Sequence, residues 1–168
     1  MKNNKNYRWT AILLITCTLV NFGCEEEDEG ATKMVWEQEV EQAKAATMKY
    51  TDFDLAESEG FIDVSGYVPQ MGHHYLLPAR VDGTFELEKP EILLYVPDAD
   101  GNMEFIGIEY AIQVEDANNP GTPPEGFTGS DDEWHFREDL AQWQLHVWTV
   151  KPNTDGIFAP LNPAITFN

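Results

Sequence analysis

Apolar positions along this chain form one unbroken run near the N-terminus and then several shorter patterns of different period. The run, residues 9–20, follows Lys2, Lys5 and Arg8 and leads into Asn21-Phe22-Gly23-Cys24. That basic, apolar and small-residue order is the order of a secretory signal. From Trp9 to Phe22 there are 14 residues, fewer than the roughly 20 that a helix needs to cross the hydrocarbon core, so a removable leader is expected rather than a permanent span. The next pattern has a helical period. Val35, Trp36, Val40, Ala43 and Thr47 recur at spacings of three and four, with acids early and Lys44 and Lys49 late, which predicts a helix over residues 33–50 aligned with its own dipole.

Beyond Gly60 and Gly66 the period shortens. Residues 91–96 are rich in Ile, Leu and Tyr and predict a strand. They end at Pro97-Asp98-Ala99-Asp100-Gly101-Asn102, a turn signal, and residues 104–114 follow as the partner strand of a hairpin. Residues 118–129 are dense in Pro, Gly and Asn and read as loop. Ser130-Asp131-Asp132-Glu133 has capping-box spacing and predicts a short helix as far as Arg137. Residues 143–150 predict a last strand that Pro152 ends, followed by an ordered but irregular tail wrapped over the sheet. No internal repeat is visible. A helix followed by mostly antiparallel strands is α+β: an N-terminal helix packed on a sheet, in a single domain over residues 33–168.

The cysteines and charges set the context. Gly23-Cys24 resembles a lipobox, the bacterial signal in which a small residue precedes a cysteine that is lipidated and becomes the new N-terminus. Asn21 stands where that pattern usually has Leu. The resemblance implies a lipoprotein signal peptide over residues 1–23, removed to leave a lipidated Cys24. Cys17 lies in the removed run, so the mature chain has one cysteine and no internal disulfide. The whole chain carries 10 basic and 30 acidic residues; without Lys2, Lys5 and Arg8 the ratio is 7 to 30, a net charge of −23. Such a chain repels phosphate backbones, which excludes nucleic acid as a partner. Residues 24–32, with acids at every position from Glu25 to Glu29, read as a self-repelling tether. They also resemble the acidic export signal that some Bacteroidetes-type lipoproteins carry after the lipidated cysteine. The expected location is therefore the outer membrane, on its cell-surface or periplasmic face, with the lipid anchor as the only membrane contact and a monomeric domain.

A second resemblance spans most of residues 46–163. Met71-Gly72-His73-His74-Tyr75, Gly107-Ile108-Glu109-Tyr110, Leu145-His146-Val147-Trp148 and Gly156-Ile157-Phe158-Ala159-Pro160-Leu161-Asn162-Pro163 occur in that order. They resemble a group of uncharacterised secreted bacterial proteins with Met-Gly-x-His-Tyr, Val-Glu-Tyr and Leu-His-x-Trp motifs. The resemblance implies no activity. His73 and Leu161 depart from the group's pattern, so of the histidine pair only His74 is carried over.

Four histidines follow the leader: His73, His74, His135 and His146. Adjacent residues on a strand point to opposite faces, so His73 and His74 cannot serve one site. Alternation puts Ile106, Ile108, Tyr110 and Ile112 on one side of their strand and Glu109 on the other; it puts His146 with Gln144 and Trp148. Both Glu109 and His146 then project from the less apolar side. If their strands share a sheet, His74, Glu109, His135 and His146 could converge into a ligand set suited to Zn, Fe, Mn or Cu with room for water or substrate. The spacing is dispersed and matches no compact metal motif. The alternative is a non-catalytic surface module that binds a glycan, peptide or partner protein, with scattered histidines and a solvated Glu109. Trp134, Trp143, Trp148 and Tyr110 could line such a groove or simply fill the core. Asp98, Asp100 and Asn102 alternate as in a calcium loop, but no glutamate follows at the closing position, which makes them a turn.

Overall fold

In the computed structural model, which describes residues 33–166, the helical period resolves into α1 (Val35–Thr47), a 3₁₀ turn (Met48–Thr51) and α2 (Phe53–Ser58). Met34 N–H donates to the Glu37 carboxylate at 2.7 Å, which closes the first turn of α1. Val40, Ala43 and Thr47 form its buried stripe. The leader, Cys24 and the acidic run lie outside the described residues, and no helix among those described is long and apolar enough to cross a membrane.

Six strands follow: β1 (Ile62–Asp63), β2 (His73–Leu76), β3 (Ile92–Pro97), β4 (Met103–Gln113), β5 (His135–Arg137) and β6 (Gln142–Val147). They form one antiparallel sheet in the order β1-β2-β3-β4-β6-β5. The fold is α+β, as the sequence pattern predicts. The β3–β4 hairpin turns where expected: Asp98 Oδ1 accepts the N–H groups of Asp100 and Asn102 at 2.8 Å each. β3 is buried on both faces from Ile92 to Val96, which accounts for its unbroken apolar run.

One face carries the larger core. Tyr75, Leu93, Tyr95, Ile108, Tyr110, Leu145 and Val147 pack there with Val40, Ala43 and Tyr50 of the helical segment. Tyr95 Oη donates to the Tyr50 carbonyl at 2.8 Å and Tyr110 Oη to the Leu87 carbonyl at 2.6 Å, so the phenols reach partners while their rings stay dry. The opposite face has a smaller cluster of Ile92, Leu94, Val96, Ile106, Ala111, Trp148 and Ile165, with Leu76 packed against it.

Three expectations change. The Ser130–Glu133 spacing does not start a helix: Ser130 Oγ lies within hydrogen-bond reach of both the Phe127 carbonyl and Asp132, and Asp132 accepts Phe127 N–H at 2.8 Å. These groups close a loop, and the next residues become β5, whose Phe136 packs on Trp143 of β6 at 5.2 Å. The last strand stops at Val147, where Trp148 N–H turns to the Ile157 carbonyl. Within β4 the pairing passes from Leu94–Gly107 to Tyr95–Phe105, so Ile106 is an extra, bulged residue. The bulge resets the alternation. Ile106 joins the smaller cluster, on the opposite side from Ile108 and Tyr110. The tail is irregular as expected; Trp148 Nε1 donates to Ala159 O at 2.7 Å, and Ile165 covers the smaller cluster.

Candidate metal centre

Register decides which side chains meet. Leu76, Ile92, Glu109 and His146 lie opposite one another on β2, β3, β4 and β6 and form one row across the sheet; His74 stands in the adjacent row with Leu94 and Gly107. Directly opposed residues share a face, so all of these project to the side away from α1. Each of His74, Glu109 and His146 comes from a different motif. His74 belongs to Met71-Gly72-His73-His74-Tyr75, Glu109 to Gly107-Ile108-Glu109-Tyr110, and His146 to Leu145-His146-Val147-Trp148.

The three functional atoms form a nearly equilateral triangle. His74 Nε2 is 3.4 Å from His146 Nε2 and 3.4 Å from Glu109 Oε2, and His146 Nε2 is 3.7 Å from Glu109 Oε2. Metal–nitrogen and metal–oxygen bonds of about 2.0–2.2 Å place tetrahedral ligands ~3.3–3.6 Å apart. The triad is buried: Glu109 is 1% exposed, His146 6% and His74 8%. Among the described residues Glu109 Oε2 has no hydrogen-bond partner, a costly condition for a buried oxygen. These residues could hold a metal ion.

Burial also sets the protonation of the triad. It lowers His74 to about 4 and His146 to about 3, and it pushes Glu109 up to about 8. At neutral pH both imidazoles are therefore uncharged with a free nitrogen lone pair, and the His–Glu contacts are not ion pairs. Ser65 fixes which nitrogen is free on His74. Its hydroxyl donates to the Gly66 carbonyl at 2.7 Å, so its oxygen accepts from His74 Nδ1 at 3.0 Å and from His74 N–H at 3.0 Å. The proton then sits on Nδ1 and the Nε2 lone pair faces Glu109 and His146, the arrangement a metal-ligating histidine requires.

The backbone holds these parts in place. Gly72 has φ +86°, and a Cβ there would stand 2.4 Å from the Tyr95 carbonyl, so only glycine can lead the chain into β2 at this point. At Gly107 a Cβ would meet the Val147 carbonyl at 2.8 Å; its absence lets the chain leaving β6 close against β4. Trp148 is set by that closure. Its ring stacks on His146 at 5.8 Å and 21° between planes.

Of the four expected ligands, the fold brings three together. His135 lies on β5 opposite Gln144, exposed, and lines the rim of the site without joining the triad. Short β5 carries it one strand beyond His146. His73 faces the other way and pairs with Asp63 at 2.9 Å. Glu109 and His146 do project from the side with the smaller apolar cluster, but that side is buried and not solvated, because the tail and residues 64–71 lie over it, which alternation within one strand cannot register. Ser65 had no signal in the sequence, since nothing in its spacing ties it to His74. Tyr110 and Trp148 are core residues, and Trp134 and Trp143 are half-buried against the larger core, so they form no exposed aromatic groove.

A cavity of about 940 Å³ opens over the triad. Val64, Val68, Met71, Leu76, Ile92 and Leu140 give it largely apolar walls, and Arg137, Gln142 and Gln144 line its β5–β6 side. No known protein family, curated protein or solved structure matches this chain. The site's chemistry is therefore read from its own residues.

Proposed function

We propose that the domain binds one first-row divalent metal through His74 Nε2, His146 Nε2 and Glu109 Oε2, and presents its remaining coordination positions to a small molecule in the cavity. The observation that carries this reading is the triangle of three buried donor atoms near tetrahedral spacing, one of them a carboxyl oxygen with no hydrogen-bond partner among the described residues. Structural metal sites are closed by four protein ligands, whereas three ligands and an open position belong to sites that bind or activate a substrate. Two histidines and a carboxylate suit Zn(II), and also Fe(II) or Mn(II); edges of 3.4–3.7 Å sit nearer the tetrahedral value than the roughly 3.0 Å of an octahedron, which puts Zn(II) first. Bound there, the metal would act as a Lewis acid toward an oxygen ligand. His135 at the rim is an accessory group and not a ligand.

The mature chain is placed, on the same footing, at the outer membrane through a lipidated Cys24. The basic, apolar and small-residue order of residues 1–24 supports that placement.

Two experiments test these readings. The domain purified without a histidine tag should carry near one equivalent of metal by elemental analysis and His146→Ala close to none; a metal-free parent that takes up no zinc, iron or manganese on reconstitution would remove the reading. Cys24→Ser should move the protein from the membrane fraction to the soluble fraction, and unchanged membrane retention would refute the anchor.

A further inference from the structure

We propose that the ligand of this centre is a small organic monoanion that gives an oxygen-donor headgroup such as a carboxylate to the metal and lays an apolar body along the cavity wall. The inference rests on the metal reading and names what that site takes. Two neutral imidazoles and one carboxylate around a divalent ion leave a centre of net charge +1, buried among Ile92, Leu76 and the sheet. In so dry a setting a monoanion neutralises that charge, while a neutral or cationic headgroup leaves it standing. No other cation competes for the headgroup on equal terms: among the described residues lining the cavity the one arginine, Arg137, is already engaged by both oxygens of Asp139, at 3.0 and 2.8 Å.

The walls specify the rest of the molecule. Val64, Val68, Met71 and Leu76 line the cavity on its β1–β2 side, and Leu140 and Leu161 are further apolar residues of its lining. Val64, Leu140 and Leu161 are 53%, 46% and 43% exposed, so an apolar body lying there covers surface that is otherwise wet. A volume of about 940 Å³ is at the upper end of small-molecule sites, roughly 300–1,000 Å³, and leaves room for more than a headgroup. The whole chain carries a net charge of −20 and attracts cations at long range, so a preference for anions can only originate locally at the metal.

Isothermal titration of the zinc-loaded mature chain, with Cys24→Ser to leave off the acyl groups, tests this with acetate, butanoate, hexanoate and octanoate. Affinity should rise about fourfold for each added methylene until the body fills the cavity. Octylammonium should bind far more weakly than octanoate, and metal-free protein should bind neither tightly. Val64→Asn and Leu140→Asn, both at exposed positions, should weaken octanoate severalfold without changing acetate binding or metal content. Metal is assayed on the same samples. If the chain holds no metal, the parent reading fails and this inference falls with it. If metal is present but acetate and octanoate bind alike, or octylammonium binds as well as octanoate, only the ligand assignment is overturned.

Discussion

The two faces of this sheet are made from the same strands and do opposite things with burial. On the helix side, Tyr75, Leu93, Tyr95, Ile108 and Tyr110 bury apolar surface, and each buried phenol oxygen noted above finds a backbone carbonyl. On the other side, His74, Glu109 and His146 are buried, and one oxygen of the Glu109 carboxyl group has no hydrogen-bond partner among the described residues. The first arrangement is what stability alone selects. The second lowers stability, and a bound cation of the kind proposed above would offset that cost, because a buried carboxyl group without a partner is otherwise better replaced by an apolar residue.

The largest expected effect separates the faces by stability. Leu93→Ala, fully buried on the helix side, should cost about 2–5 kcal/mol by chemical denaturation, while the protein that remains folded keeps its metal. Loss of metal from the folded fraction would show that the two faces are not separable.

A smaller effect comes from pH. In the metal-free protein Glu109 is raised from 4.5 to about 8, so the stability it contributes as a protonated group is full below pH 4.5 and is lost as pH rises through 8. His74 and His146 are lowered from 6.5; their contribution is present above pH 6.5 and is lost as pH falls toward 4 and 3. Glu109→Gln removes that loss, so its melting temperature should gain on the metal-free parent as pH rises from 4.5 to about 8. Parallel curves would mean that Glu109 is not held protonated by burial.

The smallest effect concerns orientation. Ser65→Ala leaves the triad intact and removes the acceptor for His74 Nδ1–H, which should weaken metal binding about 10- to 100-fold with little change in folding. Unchanged affinity would assign Ser65 to the local turn only.

The helix, the β3–β4 hairpin, β6 and the α+β class were legible because each rests on local periodicity or turn chemistry. β5 was not. Ser130 and Glu133 have capping-box spacing, but Asp132 closes a loop with Phe127, and Phe136 finds Trp143, a partner distant in sequence until β6 docks. The Ile106 bulge was invisible too, because one extra residue in a strand has no composition of its own. At the site, alternation put Glu109 and His146 on one side and separated His74 from His73. The solvated alternative for Glu109 arose because nothing in β4 announces that residues 64–71 and the tail cover its far face. His135 was grouped with the others by residue type, and only the strand order shows it one strand too far out.

Crystals of the zinc-loaded domain, with anomalous scattering recorded on both sides of the zinc edge, test the central claim most directly. One peak should lie about 2.0–2.2 Å from His74 Nε2, His146 Nε2 and Glu109 Oε2, with its open side toward the cavity. A zinc-loaded crystal with no peak within the triad, or with its strongest peak on surface carboxylates, would contradict it.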